Sequence, residues 1–175
     1  MNNQNPITTR VRHLPPVKKA MFVWLYAWDH FTRFIRRALI MLSVQKCGRY
    51  LRVYGAVRIS GHHNIRIGRR CALNHGVMLI ARAGIELGDD VIISPYAMLT
   101  TDSLVHDIKT LPRPHDSKPI IVKDGAWIGA RATILPGVTI GKNAIVAAGS
   151  VVRENVPDNA LVAGVPATFK KSIET

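Results

Sequence analysis

His106 is followed directly by Asp107 and preceded, four positions earlier, by Asp102. A carboxylate beside an imidazole can fix its tautomer and orient its ring. A neutral imidazole held that way can take a proton from a hydroxyl near neutral pH. The surrounding text, Thr100 to Pro119, is polar and also carries His115 and Asp116. A long irregular segment inside otherwise periodic sequence is more often functional than accidental. Taken alone, a loop histidine is usually just solvated, so the elements that must position it decide the reading.

Those elements follow a six-residue beat. An aliphatic residue recurs at Ile67, Leu73 and Leu79, slips by two, and continues at Leu87, Ile93 and Leu99. After the break it runs through Val122, Ile128, Ile134, Ile140, Val146 and Val152. Four positions after each stands a small or β-branched residue: Cys71, Val77, Ala83, Val91, Ala97, Ser103, Ala126, Ala132, Val138, Ala144, Ser150 and Val156. A period of six is neither helical nor a strand alternation; it predicts a parallel β-helix in which three hexapeptides close one triangular coil. Gly68, Asn74, Gly88, Gly129 and Gly141, each just after an aliphatic position, suit backbone with positive φ. The beat fades upstream through Ile59 and Val53, with another slip of two between Ile59 and Ile67, so both slips are expected at one corner of successive coils. The chain is thus expected to be an all-β solenoid over residues 49–157, with an inserted loop at 100–119, a basic N-terminal extension at 1–48 and a tail at 158–175.

The net charge of +13 belongs entirely to residues 1–70, where fourteen Lys and Arg stand against Asp29 alone. No zinc-finger, helix-turn-helix or RNA-binding pattern accompanies it, which disfavours nucleic acid and leaves anionic membranes or acidic polymers. Within this region residues 17–44 are predicted helical, with Trp24, Trp28, Phe31, Ile35, Leu39 and Leu42 at three- and four-residue steps. Charge interrupts the segment too often for a bilayer span, and no clean cleavage site marks a signal peptide. Two readings stay open: a cap on the first coil of the solenoid, or an interfacial helix resting on anionic lipid. Cys47 and Cys71 match no zinc spacing, and a reduced, cytoplasmic chain is expected.

From Ile59 to Lys171 the chain resembles the hexapeptide-repeat acyltransferases, in the branch that O-acetylates galactosides, maltose and polysaccharides. The resemblance rests on Ile-Ser-Pro at 93–95, His-Asp-Ile at 106–108, Lys-Pro at 118–119 and Trp-Ile-Gly at 127–129. It rests also on Ile-Leu-Pro-Gly-Val-Thr-Ile-Gly at 134–141, Ala-Gly-Ser-Val-Val at 148–152 and Ala-Gly-Val-Pro-Ala at 163–167. It implies a left-handed parallel β-helix assembled as a homotrimer, with active sites between neighbouring subunits. It implies His106 as general base and Asn74 as a contact to the acceptor. Acetyl-CoA would be the cosubstrate, along an outer groove at Trp127, Ala130, Ala148 and Arg153, with Lys171 near its phosphates. The alanines could equally be corner packing. No serine or cysteine nucleophile is paired with the histidine, so direct transfer to a hydroxyl is expected, without an acyl-enzyme.

The free-sugar enzymes of this family carry an acid-bearing helical segment before the β-helix, and here a basic aromatic helix replaces it. That favours a larger acceptor, such as a lipid-linked glycan or a surface polysaccharide or lipopolysaccharide sugar, with peripheral contact at the inner face of the membrane. A xenobiotic O-acetyltransferase and a non-catalytic β-helix scaffold remain as alternatives. A zinc carbonic anhydrase of the same fold is disfavoured, because His62, His63, His75, His106 and His115 lack the repeat-register pair it needs. No metal is expected.

Overall fold

The computed structural model describes residues 15–105 and 111–173. His106 and Asp107 therefore lie outside the described residues. The chain divides into two compact units with the boundary between Ile35 and Arg36. A single helix, Pro16–Ser43, crosses that boundary.

In the second unit the six-residue beat becomes three stacked sheets. Sheet A orders Lys46–Cys47, Ile65–Ile67, Ile85–Leu87, Ile120–Val122 and Thr139–Ile140. Sheet B runs from Arg52–Val53 through Ala72–Leu73, Ile92–Ile93, Trp127–Ile128 and Ile145–Val146 to Ala160–Gly164, with Ala167–Ser172 outside it. Sheet C stacks Arg58–Ser60, Met78–Ile80, Met98–Thr100, Thr133–Ile134 and Val151–Val152. Neighbouring strands are parallel throughout, save the last pair. The result is a parallel β-solenoid with an N-terminal helix, as the beat predicts.

All twelve aliphatic residues of the beat point inward and are at most 4% exposed. Each buried Leu or Ile contributes about 1.5–3 kcal/mol of transfer free energy, so the interior column supplies the main drive to fold. The corner residues follow with two departures: Ala83 and Ser103 are half-buried, while Ala81 and Thr101 fill that corner instead. Early coils are twenty residues long (Arg66 pairs Glu86) and later ones eighteen (Ile121 pairs Thr139). The extra pair of residues falls each time between sheet C and sheet A, first at the short 3-10 turn His62–Asn64 and then at Ala81–Gly84. The loop after Thr100 leaves at that same edge and returns at Ile120.

The glycines after the aliphatic positions serve a different purpose from the one expected. Gly129 has no positive φ; a Cβ there would lie 2.6 Å from the Ala148 amide nitrogen of the next coil. Close approach between coils, not a left-handed backbone, excludes a side chain. The positive φ falls two residues later, at Arg70, Asp90, Arg131 and Asn143.

The repeat also reaches beyond 49–157 at both ends. Lys46–Cys47 pairs with Arg66–Ile67, and Ala160–Gly164 adds a further parallel rung beside Ile145–Val146. In that rung Val146 meets Val162, sixteen residues on, so the last coil is two residues short and the beat of six fails there. Residues Ala167–Ser172 then fold back antiparallel on this rung, giving structure to what the sequence offers only as a tail.

At the other end, Ile40 and Val44 join the core at 9% and 8% exposure. Leu39 and Leu42 of the expected helix stripe do not: they are 62% and 85% exposed. Capping is thus the task of the last helical turn, through residues outside that stripe.

Candidate active site

The inserted loop is anchored before it leaves the solenoid. Thr101 is fully buried; its hydroxyl donates to the Ile80 carbonyl at 3.0 Å and accepts from the Ala83 N–H at 3.0 Å. Beyond it the two arms of the loop form a short antiparallel stem. Lys118 N–H donates to the Thr101 carbonyl, Asp116 N–H to Ser103 and Val105 N–H to Pro114, with Leu104 bridged to His115. His106 is the next residue after Val105 in the sequence and lies outside the described residues.

Asp102, four positions before His106 in the sequence, binds within the stem. Its Oδ1 lies 2.6 Å from His115 Nδ1 and accepts the Ser117 hydroxyl at 2.9 Å. Burial raises the Asp102 carboxyl, but the Ser117 and His115 hydrogen bonds outweigh it and hold the group below its ordinary range. The carboxylate therefore ties entry to exit of the loop and orients His115.

A second group of residues lines the edge between sheets B and C. Asn74, Ser94, Gly129 and Ala147 each follow the sheet B strand of successive coils, so they stack at about 4.8 Å per rung. Asn74 Nδ2 donates to the Ile93 carbonyl at 2.8 Å, which fixes the amide and leaves Oδ1 to accept from a ligand. Trp127 is half exposed on sheet B, and its indole N–H donates to the Ser94 hydroxyl at 2.8 Å. Ala130 and Ala148 occupy the same edge one and two rungs beyond Ser94, and Gly149 N–H donates to the Ala130 carbonyl at 2.8 Å. A Cβ on Gly149 would meet nothing within 4 Å, so this edge is open to a ligand.

Asn74, Trp127, Ala130 and Ala148 are therefore brought onto one flank. Lys171 joins the far end of sheet B, paired with Leu161 in the returning hairpin. Arg153 does not join them. It follows the Val151–Val152 strand of sheet C, on the edge shared with sheet A, and its Nε is 3.5 Å from Glu154. There it borders a cavity of about 370 Å³ whose walls include Val162, Pro166 and Phe169.

The match to known proteins agrees with this arrangement. Residues 119–154 fit the family model described as bacterial transferase hexapeptide (six repeats). A galactoside O-acetyltransferase of Escherichia coli K12 is 33% identical over 140 residues, 79% of this chain and 68% of that one. The chain belongs to the hexapeptide-repeat acetyltransferases. A hexapeptide-repeat-containing acetyltransferase from Vibrio cholerae, crystallised with acetyl-CoA, superposes with a TM-score of 0.77 at 34% identity, covering 80% of this chain and 77% of that one. A galactoside acetyltransferase in complex with coenzyme A superposes with a TM-score of 0.76 at 28% identity, covering 95% of this chain and 76% of that one.

Several contacts at the flank and in the loop stem of this hexapeptide-repeat acetyltransferase carry no signal in the sequence. Ser94 holds Trp127 across 33 positions, and His115 finds Asp102 across 13. Tyr96 packs edge-on against His75 with ring centroids 5.4 Å apart, and Arg131 lies over its ring at 6.0 Å. All of these pairs are made between coils or across a loop stem, where linear spacing gives no cue.

Proposed function

We propose that this acetyltransferase moves the acetyl group of acetyl-CoA onto a hydroxyl of a saccharide by direct transfer, with His106 as general base. The observation that carries the reading is the flank on which Asn74, Trp127, Ala130 and Ala148 stack, in a chain 34% identical to a relative crystallised with acetyl-CoA. His106 takes the proton of the acceptor hydroxyl as that oxygen attacks the thioester carbonyl. The tetrahedral intermediate collapses, the C–S bond breaks, and the leaving thiolate recovers the proton from His106. A backbone N–H at the open edge would steady the oxyanion. Trp127, Ala130 and Ala148 would bind the cosubstrate, joined by Arg153 from the edge between sheets C and A, with Lys171 near its phosphates.

Asn74 stands on the edge between sheets B and C, whereas the His106 loop leaves the edge between C and A. The width of sheet C, about six residues or on the order of 20 Å, separates them in one chain. A site needing both forms most simply where the loop of one copy faces the Asn74 edge of the next, which supports a homotrimer. The basic N-terminal helix supports a polymeric or lipid-linked acceptor, in surface polysaccharide or lipopolysaccharide synthesis on the cytoplasmic side.

The test is release of free thiol from acetyl-CoA with a panel of free glycosides, nucleotide sugars and lipid-linked glycans. His106→Ala should cut turnover by about 10²–10⁴ while acetyl-CoA affinity is kept. Asn74→Ala should raise the acceptor KM more than the acetyl-CoA KM. Thiol release that no saccharide stimulates would remove the acceptor class, and wild-type turnover in His106→Ala would remove the base.

A further inference from the structure

The cap on the first coil leaves an apolar surface over. Ile40 enters the core at 9% exposure, while Leu39 and Leu42 beside it are 62% and 85% exposed. At 100° per residue Ile40 falls on the helix face that carries Arg33, Arg36 and Arg37, and Leu42 on the opposite one. The capping residue is thus borrowed from the charged face, and the apolar arc is not spent on the solenoid.

The same arc is aromatic further back. Trp24, Trp28 and Phe31 share it by spacing and are 62%, 54% and 57% exposed. Trp24 and Trp28 stack with centroids 5.7 Å apart, and Phe31 lies 6.2 Å from Trp28. No charged residue falls within the arc, whose five residues span roughly 80° of the helix. Among the described residues no helix is long and apolar enough to cross a membrane.

Residues 15–70 carry almost a single sign of charge. Asp29, the sole acid before residue 71, is held by Arg33. Arg66, Arg69 and Arg70 find acids at Glu86, Asp89 and Asp90 in the next coil. Arg36, Arg37, Lys46, Arg49, Arg52 and Arg58 make no ion pair among the described residues. Two copies joined through these faces would bring like charges together. A bilayer rich in anionic phospholipid offers hydrocarbon for the arc and phosphate for its flanks.

We infer that the helix Pro16–Ser43 docks this protein on an anionic phospholipid surface, with Trp24, Trp28, Phe31, Leu39 and Leu42 in the headgroup boundary and Arg36, at their edge, on lipid phosphate. The inference is independent of the acetyl-transfer reading and needs no turnover to test it.

The full chain is sedimented with vesicles of phosphatidylcholine alone and with vesicles containing phosphatidylglycerol, at low and high salt. Binding should require phosphatidylglycerol and fall as salt rises, because screening shortens the reach of each charge to about 3 Å at 1 M. Arg36→Gln should weaken it roughly fivefold. In a Trp127→Phe background, the fluorescence of Trp24 and Trp28 should shift to the blue on binding. Replacing Trp24, Trp28 and Phe31 together by serine should abolish association and leave the thermal transition of the solenoid in place. Absence of binding to phosphatidylglycerol vesicles at low salt overturns the inference. So does equal binding by the serine variant, or a change in its number of subunits without any vesicle binding by the parent, which would assign the face to a second copy.

Discussion

Asp102 Oδ1 sits 2.6 Å from Nδ1 of His115 and takes the Ser117 hydroxyl on the same oxygen. This contact ties together the two arms of the loop stem, whose next residue in sequence after Val105 is His106. Nothing in the stem contributes to the interior column of the solenoid, so its effect should be kinetic. Asp102→Ala should lower kcat by about 10–10², the cost of displacing a catalytic group by roughly 1 Å. The acetyl-CoA KM should change little, and the melting temperature should fall only by what such exposed contacts contribute to stability, about 1 kcal/mol. His115→Gln should act in the same direction, since it alters the same contact. A kcat equal to wild type in both variants would show that the stem does not position the base.

The edge at Gly129 and Gly149 separates packing from binding. A Cβ at Gly129 would press on the Ala148 nitrogen and the Val146 carbonyl oxygen, both at 2.6 Å. Backbone cannot yield cheaply, so Gly129→Ala should destabilise by about 1–3 kcal/mol. Gly149 has φ +70 but open space around it. Asparagine tolerates that backbone, so Gly149→Asn should melt near wild type while its side chain obstructs the edge and raises the acetyl-CoA KM. The reverse pattern, an intact melt for Gly129→Ala or an unchanged KM for Gly149→Asn, would argue against the assignment.

Trp127 and Arg153 test whether both edges reach the cosubstrate. Trp127→Phe removes one hydrogen bond to Ser94 at a half-exposed site, worth about 0.5–1.5 kcal/mol. Its acetyl-CoA KM should rise several times more than its stability falls. Arg153 makes only a 3.5 Å contact to Glu154, so Arg153→Gln should leave stability alone and raise the acetyl-CoA KM. An unchanged KM in Arg153→Gln would take that residue out of the site.

Acid should act on several carboxylates at once. The Arg69 side-chain hydrogen bond lowers Asp89, that of Arg70 lowers Asp90, and the Lys142 N–H together with Lys123 lowers Asp158. Asp102 is lowered as well, the Ser117 and His115 bonds outweighing its burial. A group lowered from 3.8 stabilises the fold fully above that value and loses the contribution as pH falls through its folded pKa. Melting temperature should therefore be level down to about pH 5 and decline below about pH 4. All four groups are exposed enough for salt to weaken the effect, so the decline should be shallower at high ionic strength. A midpoint near pH 6 would instead point to histidine.

The solenoid was legible because every third part of a coil places the same kind of residue inward, and Leu73, Ile93 and Ile128 obey that rule in linear order. Where a corner holds two extra residues the spacing misleads: Ala83 and Ser103 stand where the beat puts the corner, while Ala81 and Thr101 fill it. Gly129 was visible as a glycine, but its reason lies in the next coil. The helix was visible as amphipathic, yet the residue that caps the core is Ile40, from the charged face. His106 stands out by its neighbours in sequence, whereas the pairing of Asp102 with His115 exists only once the stem has folded.

The edge between sheets C and A already holds two surplus residues in the early coils, and it is there that the chain departs after Thr100. Leu99 and Val122 nevertheless keep their places, pairing in register with Leu79 and Ile134 and with Leu87 and Ile140. The length of what is inserted at that seam is thus decoupled from the order inside. A scaffold built this way treats its inserted segment as an interchangeable part. Grafting a loop of different length between Thr101 and Ile120 should alter which acceptor is admitted without asking the rest of the molecule to refold.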